Sequence, residues 1–108
     1  MDARHECNLI MAHYQSDDFG LSFDLPDDPS VMEIVRYDSN RIERQGDPAI
    51  LILWECVKPL ITNWSCEALP DYKTPLDKVK SLKAAQAVEF AAFRGSEWRL
   101  SLDTVPKN

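Results

Sequence analysis

Apolar and polar positions alternate between Phe19 and Leu25, where Phe19, Leu21, Phe23 and Leu25 are separated by Gly20, Ser22 and Asp24. A period of two marks a strand with one buried face. Upstream, Glu6 to Tyr14 mixes apolar and polar residues without a helical stripe and predicts a further strand, and Gln15-Ser16-Asp17-Asp18 has turn chemistry. Together these segments predict an N-terminal β-hairpin that Pro26 and Pro29 bring to an end. The period then changes. Ser30 and Glu33 have capping-box spacing, so hydroxyl and carboxylate can each satisfy the other's free backbone N–H. A first helix is expected from Val31 to about Arg44, with Val31, Ile34, Val35 and Ile42 inward and Tyr37-Asp38-Ser39-Asn40 as a place where it can be interrupted.

Gly46-Asp47-Pro48 is the clearest boundary, with Asp47 suited to the N-cap and Pro48 to the first helical position, where no N–H is needed. Ile50, Leu53, Trp54, Val57, Leu60, Ile61 and Trp64 follow in steps of three and four, which predicts a core helix carrying one apolar stripe. Pro59 lies inside that stripe and predicts a kink near Glu55 or a break into two short helices. Ser65 to Lys73 reads as a loop. Thr74 as N-cap, Pro75 and Asp77 then start a short helix to about Leu82. The alanine-rich run from Lys83 to Arg94 is strongly helix-forming, and Gly95 is expected as its C′ residue. One helix or two over 75–94 is left open. Trp98, Leu100 and Leu102 alternate with Arg99 and Ser101 and suggest a final strand able to pair with the hairpin. The expected fold is α+β, a mainly helical small single domain over 1–108 with an N-terminal β-hairpin and a C-terminal strand.

Composition narrows the function classes. The 108 residues are 44% hydrophobic and 28% charged, the balance of a globular chain. The net charge of −6 argues against a protein built to neutralise phosphates, so no nucleic-acid partner is expected. Residues 1–54 hold eleven Asp/Glu against four Arg, and residues 55–108 hold seven against eight Lys/Arg. The acidic half reads first as a solvated face, with head-to-tail association between copies, steered by opposite fields on the two halves, as the alternative. An odd cysteine count (Cys7, Cys56, Cys66) and a start without an apolar signal core fit a reducing, cytosolic compartment. The longest apolar run, Ala49 to Trp54, is far short of the roughly 20 residues that cross a bilayer, so no membrane partner is expected.

No residue pattern spells out a reaction. Gly20, Gly46 and Gly95 are too scattered for a phosphate-cradling loop. His5, Cys7, His13, Cys56 and Cys66 match no common zinc spacing, and no local signature marks a Cys/His nucleophile, so neither metal, cofactor nor catalytic residue is assigned. Asp17-Asp18 and Asp27-Asp28 sit where turns and helix starts want Asp. Lys73, Lys78, Lys80 and Lys83 read as a solvated basic helix face. Trp54 and Trp64, ten apart, are placed on one side of the second helix and in the core.

The order of elements resembles the tail assembly chaperones of long-tailed bacteriophages. The features that carry it lie within residues 19–94. They are a strand ending in Leu25-Pro26 with an acidic turn, an amphipathic middle helix closing on Ile61-Thr62-Asn63-Trp64, and a polar, proline-bearing loop from Ser65 to Pro75 leading into short helices. The resemblance implies a non-catalytic protein of the host cytoplasm that coats the tape measure protein, helps recruit tail tube protein and self-associates. Val57, Ile61 and Trp64 are then the expected partner-binding groove. It also implies a longer frameshifted product, for which the codons of Pro106-Lys107-Asn108 permit a slippery run. The alternative is an acidic, phage-encoded inhibitor of host defence, with Asp17, Asp18, Asp24, Asp27 and Asp28 standing in for phosphates.

Overall fold

The computed structural model describes residues 12–104. The expected strand residues before Ala12, the candidate ligands His5 and Cys7, and Pro106-Lys107-Asn108 lie outside them. Strands β1 (Ala12–Ser16) and β2 (Leu21–Leu25) form the expected hairpin, antiparallel and in register from Ala12 opposite Leu25 to Ser16 opposite Leu21. The turn is Asp17 to Gly20, so Gln15 and Ser16 belong to the strand and Phe19 to the turn. Gly20 supplies the left-handed φ of 57° that closes it.

Helix α1 runs over Val31–Glu43 with the capping box formed as its chemistry predicts: Glu33 N–H donates to Ser30 Oγ and Ser30 N–H to Glu33 Oε1. It is not interrupted at Tyr37–Asn40. Of the four residues expected inward, Ile34 is half-buried, but the other three are not on the inward face. Tyr37 is the buried residue of α1, while Val31, Val35 and Ile42 face solvent. The reason is the wheel: Tyr37 and the half-buried Glu33 and Asn40 lie on the far side from the aliphatic stripe, and Tyr37 docks on Trp98 at 6.0 Å.

Helix α2 (Ala49–Val57) starts one residue later than expected, with Pro48 rather than Asp47 at the N-cap. The Pro48 carbonyl accepts from Leu51 and Ile52. Pro59 does not kink a longer helix but ends it. Lys58–Leu60 tightens to a 3₁₀ turn, Ile61 turns to extended geometry, and Thr62–Cys66 forms β3. Ile61 and Trp64 are therefore not on a helix, and Ser65 and Cys66 are strand rather than loop. β3 pairs antiparallel with β2, giving the order β1-β2-β3. Between the pairs Ser22–Ser65 and Asp24–Thr62 the partner strand carries one extra residue. This bulge leaves Asn63 at φ 55° and turns Thr62 and Asn63 both outward.

Thr74 does not cap the next segment. Pro75 does, and only a 3₁₀ turn, Leu76–Lys78, follows. Helix α3 then spans Leu82–Thr104 without a break. Gly95 is inside it, and the expected C-terminal strand at 98–102 is helix. A Cβ at Gly95 would lie 2.7 Å from Val57 Cβ, so this glycine is where α3 and α2 touch backbone to side chain, not a helix stop. Ala84, Ala87, Ala91 and Ala92 are buried along the same helix. The core is closed by Phe23, Leu25, Trp54 and Val57, each without exposure, between the helices and one face of the sheet.

Candidate partner-binding surface

The three residues expected to form a groove come together, but in the interior. Val57 (0% exposed) packs under α3 and Ile61 (3%) leads into β3, so a partner reaches neither without opening the fold. Trp64 is half-buried. Its Nε1 donates to the Leu69 carbonyl at 2.7 Å, and its ring meets Tyr72 at 5.5 Å, Phe23 at 5.8 Å and Trp54 at 6.1 Å. Trp54 and Trp64 do face each other, from a helix and a strand rather than along one helix. Trp54 Nε1 is buried without a hydrogen-bond acceptor among the described residues, and its ring stands edge-on to Trp64.

The solvent face of the sheet is polar. His13 Nδ1 lies 2.6 Å from Asp24 Oδ1, Asn63 Nδ2 donates to Asp24 Oδ2 at 2.8 Å, and Gln15 Oε1 lies 3.2 Å from His13 Nε2. Hydrogen bonds to Asp24 and Gln15 raise the imidazole pKa above its ordinary 6.5. Desolvation pushes the Asp24 carboxyl up, but the hydrogen bonds from Asn63 and His13 outweigh it and hold the group below its ordinary value. Asp24 is thus committed to the sheet and not displayed as a phosphate mimic.

The remaining candidates are dispersed. Asp17 and Asp18 border an open hollow of about 460 Å³ with Glu67 and Lys83, and Lys83 Nζ donates to the Asp18 carbonyl. Lys73, Lys78, Lys80 and Lys83 fall on a loop, a 3₁₀ turn, a connector and α3, so they share no helix face. Cys56 and Cys66 are free thiols in the core, and burial pushes the Cys56 thiol up to about 11. Among the described residues no three His, Cys, Asp or Glu side chains are grouped to hold a metal ion.

What the surface offers is apolar. Leu82, Phe93 and Leu100 are exposed along one edge of α3, within about 20° of one another at 3.6 residues per turn and spanning roughly 27 Å. Beside Phe93 lies an open hollow of about 360 Å³ shared with Phe19 and Phe90 and flanked by Glu89 and Arg94. The Arg94 guanidinium lies over the Phe90 ring at 5.0 Å, and Phe19 meets Phe90 at 6.1 Å. Reading Gly95 as a helix end hid this line, because it separates Phe93 from Leu100; a continuous helix through Gly95 would have displayed it. The chain matches no family model, no curated protein and no solved structure.

Proposed function

We propose that this chain is a non-catalytic protein-binding domain that acts as a tail assembly chaperone, holding apolar helical segments of a tape measure protein until tail tube protein is recruited. One observation carries the reading: the Leu82–Phe93–Leu100 line on a 23-residue helix, with the phenylalanine hollow at its middle. A line of about 27 Å suits an extended helical client, which would seat large side chains beside Phe93 and lay its polar face outward. The resemblance adds the strand ending at Leu25-Pro26 and the proline-bearing loop before Pro75. Its middle helix is shorter than expected, so the resemblance carries less than the surface does.

The experiment is calorimetric titration of the chain with helical tape measure segments, with Phe93→Glu as the probe. Binding that depends modestly on salt and disappears in Phe93→Glu, while thermal unfolding stays the same, supports the reading. Tight, steeply salt-dependent binding to a bacterial nuclease, lost on replacing Asp17, Asp18, Asp27 and Asp28 by Asn but kept in Phe93→Glu, would establish the inhibitor alternative instead.

A further inference from the structure

The exposed line of α3, from Leu82 through Phe93 to Leu100, is bordered by charge of one sign over its second half. At 3.6 residues per turn, Glu89 lies about 30° to one side of the line, Glu97 about 50° to the other, and Asp103 about 70° round on the Glu89 side. Arg94 and Arg99 stand back from it by more than about 100°. All three acidic residues are exposed, whereas both arginines are half-buried. The arginines are also committed. The Arg94 guanidinium lies over the Phe90 ring and bonds Glu97, and that of Arg99 is divided between Asp38 and Asp103. Glu89 has no ion-pair partner among the described residues. Burial, with Glu97 and Asp27 adding to it against Arg94, pushes the Tyr14 hydroxyl up, which places Asp27 on the Glu97 side of the helix as a further carboxylate.

The Leu82 end differs. Lys78 and Lys80 precede it with Asp77, and Lys83 donates to the Asp18 carbonyl beside Asp17 and Glu67, so the charges there are mixed. The helix dipole follows the same gradient, negative towards the C-terminus of α3. From this we infer that the occupant of the α3 line is a basic amphipathic helix, whose apolar stripe is bordered by Lys or Arg where it lies over Phe93 and Leu100. The inference rests on reading α3 as the partner-binding surface and adds what the partner carries. Arg94 uses Oε1 of Glu97 and Arg99 uses Oδ1 of Asp103, so a cation of the partner can join each pair at the second oxygen without breaking it. At Glu89 it meets a carboxylate with no competing ion pair. An acidic border would instead set carboxylate against carboxylate at all three positions.

Two synthetic helices test it, each of about 18 residues with the same leucine stripe, one bordered by Lys and the other by Glu. In calorimetric titration at low salt the Lys-bordered helix should bind about ten-fold tighter, and the gap should close at about 1 M salt. Glu89→Gln with Glu97→Gln should reduce the gap to about two-fold, with circular dichroism and melting unchanged. Glu43→Gln with Asp47→Asn removes the same charge off α3 and should leave the gap as it was. Should the first pair lose stability, Glu89→Gln alone, which breaks no ion pair among the described residues, should still narrow the gap. Phe93→Ser should weaken both helices alike. Equal binding of the two helices, or a gap indifferent to Glu89 and Glu97, overturns the inference and leaves α3 as a surface of another preference. Failure of both helices to bind removes that surface and the inference with it. Self-association of the peptide-free chain that is lost in Phe93→Ser gives the line to a second copy and likewise overturns the inference.

Discussion

Gly95 shows how one missing methyl group decides a helix–helix distance. A Cβ there would lie 2.7 Å from Val57 Cβ and closer still to Cγ2, and neither is the end of a flexible side chain. Alanine improves helix propensity by about 1 kcal/mol, but overpacking a tight core costs typically 1–3 kcal/mol, roughly cancelling or outweighing it. Gly95→Ala should therefore fail to stabilise the protein and should lower its urea midpoint. The same substitution should cost less in a Val57→Ala background, and a strictly additive cycle would refute the contact. His13 supplies a second test. Its pKa is raised, so its contribution is full below about 6.5 and is lost as pH rises through the folded value; that of Asp24 is depressed, so its contribution is present above about 3.8 and lost as pH falls through the folded value. The tie between β1 and β2 is strongest in the window between. NMR titration should place His13 above 6.5 in the wild type and nearer 6.5 in Asp24→Asn.

Elements were legible where local chemistry settles the geometry. The start of α1 needs only Ser30 and Glu33, and both bonds of the box are formed at 2.8 and 3.1 Å. Ser30→Ala should cost about 1 kcal/mol, a fall in melting temperature of about 4–8 °C, and it should do so with little effect on the sheet. Other boundaries depend on partners that lie far along the chain. Ile50 to Trp64 keeps its three- and four-residue spacing past Pro59, yet after Leu60 the chain pairs with β2, and spacing alone carries no sign of that pairing. Trp98, Leu100 and Leu102 fit a strand by alternation and a helix by the four-residue step from Trp98 to Leu102. Burial resolves it: Trp98 is 3% exposed with its Nε1 bonded to the Pro26 carbonyl at 2.7 Å, while Leu100 is left in solvent. The Val57, Ile61 and Trp64 cluster was legible as a group, but whether it faces a partner or the core is set by α3, which packs over Val57.

At the scale of the molecule, the sheet, α2 and the 67–75 loop meet at the Trp64 ring, and α1 is joined to α3 by Arg99. That guanidinium donates to both oxygens of Asp38, at 3.0 and 2.9 Å, and to Asp103, which raises its pKa and depresses that of Asp38. The ion pair is partly solvated, so it orients the helices more than it stabilises them. Trp64 is different in kind. It touches Phe23 from β2, Trp54 from α2 and Tyr72 from the loop, and its Nε1 holds the Leu69 carbonyl, so its removal opens a void among three rings and frees a carbonyl. Trp64→Ala should lower unfolding stability by about 3–5 kcal/mol, with the near-ultraviolet circular dichroism of the aromatic seam collapsing along with it. A groove residue held for a partner would instead give a small loss in the free chain and a large loss in binding. Unfolding in urea, compared with client affinity for the same variant, separates the two: a change below about 1 kcal/mol would remove Trp64 from the core and return it to the partner-binding surface.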